Sequence, residues 1–163
     1  MFYTWMESPV GRLLLAGDEK GLHKLLFGGK PEVGWREDPV ALAEPVRQLR
    51  AYFAGELRDF ELPLAPAGTP FQLRVWRELC RIPYGQTISY GELARRVGSP
   101  KGSRAVGLAN GANPIAIIVP CHRVIGSNGK LTGYGGGLKN KEWLLTLERV
   151  VCEKCVELDT IQR

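Results

Sequence analysis

Residues 89–114 read SYGELARRVGSPKGSRAVGLANGANP, and the punctuation of this stretch decides the fold. Ser89 and Glu92 stand at the S-x-x-E spacing of a capping box, which starts a helix with Leu93 and Val97 on one face. Gly98 stops it. Ser99-Pro100 then opens a second helix two or three residues later, and Asn113-Pro114 ends that one. Two short helices joined by a tight glycine-containing turn are the helix-turn-helix pattern.

The second helix is unusual for a reader of the major groove. It is built mostly of Gly, Ala and Ser, with Arg104 as its one long cation. Reading base edges takes several long polar side chains. Small residues instead let a helix backbone approach a narrow groove, where one arginine could enter the duplex; they equally permit tight helix packing.

Charge along the chain follows the same division. Residues 1–69 carry 8 Lys/Arg against 10 Asp/Glu, residues 70–150 carry 12 against 4, and residues 151–163 carry 2 against 3. A basic half on a mildly acidic one suits a polyanionic partner, although a solvated basic face has the same composition.

Upstream, FYTWMES, RLLLAGDEKG and LHKLLFGG are short apolar runs separated by Ser8-Pro9, Gly17-Asp18 and Gly28-Gly29. They predict a small antiparallel sheet. Asp38-Pro39 offers an N-cap with proline in the first turn, and Leu42, Val46, Leu49 and Phe53 share a helical face ending at Gly55. ELPLAPAGTP (61–70) reads as a linker, and Thr69-Pro70 starts a helix striped by Phe71, Val75 and Leu79. The organisation expected is α/β (α+β). A unit at 1–66 has a sheet and a helix, a mostly helical unit spans 67–151, and 152–163 is a tail. With 44% apolar and 24% charged residues the chain reads as globular. It has no apolar run of the ~20 residues that span a bilayer. MFYTWMESPVG lacks the basic-then-apolar order of a secretory leader, so a reducing cytoplasm is expected, with four cysteines free to stay unpaired.

The helix pair leads into IAIIVPCHRVIG (115–126), an apolar run read as a strand, with Cys121, His122 and Arg123 directly after it. A thiol is a nucleophile as thiolate, so it needs a neighbouring base or positive charge. Adjacency does not give contact, because successive side chains of an extended segment point to opposite sides. His122 can serve Cys121 if the chain turns after Pro120 or a water bridges them. A carboxylate should then orient the imidazole. Glu92 is used as a cap, and composition does not choose between Glu142 and Glu148 on KEWLLTLERV. A buried structural thiol is the ordinary alternative. Zinc is disfavoured, because Cys152-x-x-Cys155 lacks a second pair and Cys80, His23, Cys121 and His122 are not at ligand spacing.

TPFQLRVWRELCRIPYGQTISYGELARRVGSPKGSRAVGLANGANPIAIIVPCHRVIGSNGKLTGYGGGLKNKEWLL, about half the chain, closely resembles the O6-alkylguanine-DNA alkyltransferases (methylated-DNA–protein-cysteine methyltransferases). PCHRV, with RAVG and NP before it and GYGGG after it, carries the match. The resemblance implies an RNase H-like N-terminal unit and a winged helix-turn-helix-like C-terminal one. Its implied activity is single-turnover repair of double-stranded DNA containing O6-alkylguanine or O4-alkylthymine, with the base flipped out of the duplex. It makes Cys121 the alkyl acceptor, His122 the base acting through a water, and Glu148 the orienting carboxylate. Asn113 braces the turn under the cysteine, and Tyr90 helps rotate the nucleotide and protonates the leaving guanine. Arg104 fills the gap left by the flipped base, while Ala105, Gly107, Leu108, Ala109 and Gly111 approach the minor groove and Arg123 joins the DNA contacts. Tyr134, Gly135, Val124 and Pro120 form the substrate pocket, although some relatives carry a hydroxyl residue where Gly135 stands. No cofactor, metal or membrane is implied, and the protein is expected to be a monomer. The competing readings are a lesion-binding relative that does not transfer, in which another residue replaces the cysteine, and a helix-turn-helix regulator. A Cys-His hydrolase is disfavoured because nothing in the sequence marks an acyl substrate.

Overall fold

The computed structural model describes the backbone of residues 1–162 and the side chains through Cys155. It begins with a meander of β1 (Phe2–Ser8), β2 (Gly11–Asp18) and β3 (Gly21–Phe27). The strands pair antiparallel, with Trp5 opposite Leu14 and Leu15 opposite Leu25. In β1, Thr4 and Met6 point inward, whereas central β2 is buried continuously from Leu13 to Gly17. A strand covered on both faces loses the polar alternation of a half-exposed one. The sheet is mixed, because short β4 (Arg36–Glu37) adds to β1 in parallel, giving the order β3-β2-β1-β4.

Helix α1 (Ala43–Phe53) starts later than Asp38-Pro39 suggested. Asp38 Oδ1 accepts from the Ala41 amide at 3.0 Å, and Ala43 N bonds to Val40 O at 3.2 Å. The carboxylate thus caps a separate turn, and Pro45 sits inside the first helical turn, where its missing N–H is not needed. Leu49 and Tyr52 are fully buried beneath it.

The proline-rich stretch 61–70 is more than a connector. Leu22 N bonds to Pro63 O and Ala65 N to Leu22 O, so the segment lines the outer edge of β3. Gln48 holds its start through the Glu61 backbone. An edge with unpaired backbone groups is thereby covered.

Helix α2 (Pro70–Leu79) opens with a full capping box between Thr69 and Gln72. The helix pair is α3 (Tyr90–Arg96) and α4 (Ser103–Gly111). Ser89 accepts from the Glu92 amide at 3.1 Å, but the Glu92 side chain turns instead to Arg95 and Arg96, leaving half a capping box. Residues 99–102 form the turn, so α4 begins at Ser103 and not at Ser99-Pro100. Trp76 clamps α2 to α4 by donating from Nε1 to Ala109 O at 2.9 Å.

The run 115–119 is not a strand. Only Ile115 pairs, beside Leu25, with Leu25 N on Pro114 O and Ala116 N on Leu25 O. The chain then coils into a buried turn with Ile117 at φ 71°. A β-branched residue in the left-handed region is strained and needs surroundings that over-determine it. Asn113 supplies them, donating from Nδ2 to Val119 O at 2.8 Å and accepting from Ile115 N at 3.0 Å. Residues Cys121–Arg123 follow as one 3-10 turn, then β6 (Val124–Ile125) pairs in parallel with β5 (Ile88–Ser89). The last element is α5 (Leu138–Gln162). It runs through most of the expected tail, while Arg163 and the side chains after Cys155 lie outside the described residues.

Candidate active site

The 3-10 turn answers the geometric objection to the Cys121–His122 pair. Because the backbone coils after Pro120, the two side chains are not forced to opposite sides. Cys121 is 6% exposed and His122 is fully buried.

Between Glu142 and Glu148 the structure chooses Glu148: Glu142 is exposed, whereas Glu148 is fully buried and bonded on both oxygens. Oε2 lies 2.7 Å from His122 Nε2 and takes the Tyr52 hydroxyl at 2.6 Å. Arg123 grips the carboxylate twice, Nε to Oε1 at 2.8 Å and Nη2 to Oε2 at 3.0 Å, and Gly85 N reaches Oε1 at 3.2 Å. Burial pushes the Glu148 pKa up, but the His122 and Arg123 contacts outweigh it and hold it at about 2. An ionised carboxylate only accepts, so His122 Nε2 carries the hydrogen and a neutral ring keeps its lone pair on Nδ1. That nitrogen is buried without a partner among the described residues. Burial pushes the His122 pKa down, against the pull of Glu148, so the neutral base is the resting form.

Around the thiol, burial pushes the Cys121 pKa up, opposed by the neighbouring Asn113 amide and the Lys141 charge. The Tyr134 hydroxyl is buried near the thiol without a hydrogen-bond partner among the described residues; burial, then the cysteine's charge, keeps the phenol protonated. Lys141 is itself fully buried, donating from Nζ to Val124 O at 2.6 Å and Thr132 O at 2.9 Å. It ties β6 to the glycine-rich loop that carries Tyr134.

Cys121 opens into a cavity of about 690 Å³. Its walls come from three places: Phe27 and its glycines at the end of β3, Tyr90, Gly107 and Asn110 from the helix pair, and residues 132–136 of the loop. Tyr90 and Thr132 meet across it, Oγ1 to the phenol oxygen at 3.5 Å. Asn113 and Gly135 also line it, whereas Pro120 and Val124 are buried beneath and do not. Val124 serves through its carbonyl, as the Lys141 acceptor.

Arg104, Ala105, Leu108 and Gly111 lie on the exposed side of α4, with Leu108 72% exposed. Gly107 faces inward, where a Cβ would sit 3.8 Å from Tyr90. Two further residues expected on DNA are also elsewhere. Ala109 is buried under Trp76, and Arg123 is 6% exposed with its third bond, Nη1 to Ile82 O at 2.7 Å, also internal. A guanidinium so held is not free for phosphate. Sequence reasoning passed over Tyr52, Lys141 and Asn110. Tyr52 lies 96 residues from Glu148, and nothing local marks it. Lys141 had one signal, a lysine on the apolar side of α5, three residues before Leu144.

Fold and site together define a protein that places a buried cysteine on a cavity beside a helix-turn-helix, next to a hydrogen-bonded histidine–glutamate pair. A family model described as "6-O-methylguanine DNA methyltransferase, DNA binding domain" matches residues 70–150, and one described as the "ribonuclease-like domain" of that methyltransferase matches 1–66. The chain belongs to this 6-O-methylguanine DNA methyltransferase family. It is 59% identical over 153 residues to a methylated-DNA–protein-cysteine methyltransferase of Methanosarcina acetivorans, covering 91% of this chain and 98% of the relative. The protein of that name from Mycolicibacterium paratuberculosis is 56% identical, covering 90% and 92%. Among solved structures, Mycobacterium tuberculosis OGT in complex with DNA superposes with a TM-score of 0.89 at 54% identity, covering 93% of this chain and 94% of that one.

Proposed function

We propose that this protein repairs DNA by moving the alkyl group of O6-alkylguanine irreversibly onto Cys121. The observation that carries the reading is the Cys121 thiol, opening into a cavity beside α4 with the His122–Glu148 relay behind it. His122 Nδ1 accepts the thiol proton through a water, and the sulfur attacks the alkyl carbon. A C–S bond forms as the C–O bond breaks, and the electron pair passes to the guanine. Tyr90, at the cavity wall, supplies the proton that neutralises the leaving purine. The product is a thioether, which nothing in the site can hydrolyse, so each molecule acts once.

A burial-raised thiol pKa fits this chemistry: Cys121 stays protonated and unreactive until a base is seated and His122 draws the proton. The exposed side of α4 enters the minor groove, where Ala105 and Gly111 allow close approach and Arg104 takes the place of the flipped base. Four unpaired cysteines suit a reducing cytoplasm. Among the described residues no helix is long and apolar enough to cross a membrane. Incubation with duplex DNA carrying O6-methylguanine, followed by peptide mass analysis, is expected to show one methyl group on Cys121. An unmodified cysteine overturns the proposal and leaves a lesion-binding role.

A further inference from the structure

One bond to the His122–Glu148 pair comes from the other half of the chain. Tyr52 lies on α1, and its hydroxyl donates to Glu148 Oε2 at 2.6 Å. That oxygen is the one that holds the imidazole, 2.7 Å from His122 Nε2. The remaining donors to the carboxylate, Gly85 N and the Arg123 guanidinium, belong to the C-terminal half. Tyr52 is fully buried, so bulk water does not compete for its donor. Its ring is fixed independently of the bond, edge-on to Phe53 and Tyr84 and tilted on Phe60. Burial, then the Glu148 charge, keeps the phenol protonated, so it acts as a neutral donor.

A hydrogen bond to an ionised carboxylate lowers its affinity for protons. With Tyr52 on Oε2, that oxygen pulls less on the Nε2 hydrogen, and an imidazolium gains less from forming beside it. The other charged or titratable groups facing the pair are Cys121 and Arg123 of the 3-10 turn, Lys141 of α5, Tyr84 after α2 and Tyr134 of the loop. Arg123 balances the carboxylate charge, while the Tyr84 and Tyr134 hydroxyls make no bond to it.

We infer that Tyr52 is a positioning residue through which the N-terminal half tunes the reaction: its hydroxyl fixes Glu148 Oε2 and keeps His122 a neutral base. This deepens the alkyl-transfer reading above and rests on it. Tyr52 does not line the cavity, and it acts on the thiol only through Glu148 and His122.

The test uses Tyr52→Phe, which removes the hydroxyl and keeps the ring. Single-turnover methyl transfer from duplex O6-methylguanine is followed from pH 8 down to the lowest pH at which both proteins stay folded. The ratio of variant to wild-type rate should fall by about 3-fold across that range, because His122 then protonates about half a pH unit higher. A merely structural role lowers the ratio equally at every pH, and that result overturns the inference. The imidazole nitrogen NMR shifts give a reading that needs no transfer, since the chain has two histidines and His23→Gln identifies the other. His122 should titrate higher in Tyr52→Phe, and lower when a ring-fluorinated tyrosine, a stronger donor, replaces Tyr52. A titration unmoved by both changes also overturns the inference. If Tyr52→Phe does not fold, the fluorotyrosine protein decides. A wild-type protein that forms no adduct sinks the alkyl-transfer reading, whereas the imidazole shifts still decide whether Tyr52 tunes His122.

Discussion

Glu148 reaches back across 26 residues to His122, Oε2 to Nε2 at 2.7 Å, and the same carboxylate neutralises Arg123. One anion therefore holds the imidazole and satisfies a buried cation. Glu148→Gln should do two separable things. Losing the anion frees the imidazole tautomer, and transfer should slow by about 10²-fold or more in single-turnover assays. It also strands a buried guanidinium, costing about 3 kcal/mol of stability in urea unfolding. Wild-type transfer by a folded Glu148→Gln would remove the relay from the mechanism.

The same carboxylate sets the acid stability. Folding lowers its pKa from 4.5 to about 2, so its contribution is complete above pH 4.5 and is lost as pH falls toward 2. The size is on the order of 3 kcal/mol. His122 acts in the same direction. Its pKa is lowered by burial from 6.5, so the unfolded chain takes up that proton first and stability begins to erode as pH falls below 6.5. Urea midpoints measured from pH 7 to pH 3 should fall monotonically and steepen below about pH 4.5. A flat profile across that window would contradict the buried pair.

How far the sequence reached follows from how local each signal is. Thr69-Pro70 before α2 and Ser89 before α3 are start signals decided within four residues, and both helices begin there, although the Ser89–Glu92 box forms only by its Ser89 half. The strand expected at 115–119 failed because a short apolar run looks alike as strand or buried turn. What separates the two here is Asn113, whose side chain closes the turn on both sides. In the site, Cys121 and His122 were legible as a pair, but Glu148 was chosen over Glu142 by resemblance, and Tyr52 not at all. Tyr52, His122 and Glu148 come from α1, the 3-10 turn and α5, and the packing of these three elements brings them together. Arg123, assigned to the DNA contacts by resemblance, is instead buried on Glu148, a pairing that no local signal marks.

The loop over the cavity is held by contact with the N-terminal sheet. Gly136 abuts Phe27, where an added Cβ would lie 2.6 Å from two ring carbons, and the Phe27 ring meets Tyr134 edge-on at 5.6 Å. Asn140 adds bonds to Val10 O and Gly136 O. Gly136→Ala should therefore push Phe27 and Tyr134 apart, cost about 1–3 kcal/mol and slow transfer. Adding Phe27→Leu should restore part of both losses, because the two changes share one contact. Additive losses in the double variant would show that the contact does not couple sheet to loop.

Arg104 stands exposed on α4 beside Ala105 and Leu108, away from the cavity that holds Cys121. If it fills the space of a flipped base, its value lies in the duplex and not at the sulfur, since extrusion costs a few kcal/mol of stacking and pairing. Arg104→Ala should then slow transfer from O6-methylguanine in duplex DNA by about 10-fold or more while hardly changing transfer from the free alkylated base, which needs no extrusion. Raising the salt should weaken duplex binding of both proteins, because phosphate contacts release counterions, and should leave the free-base reaction unaffected. Equal losses on the two substrates would instead place Arg104 in the support of α4 and not in the duplex.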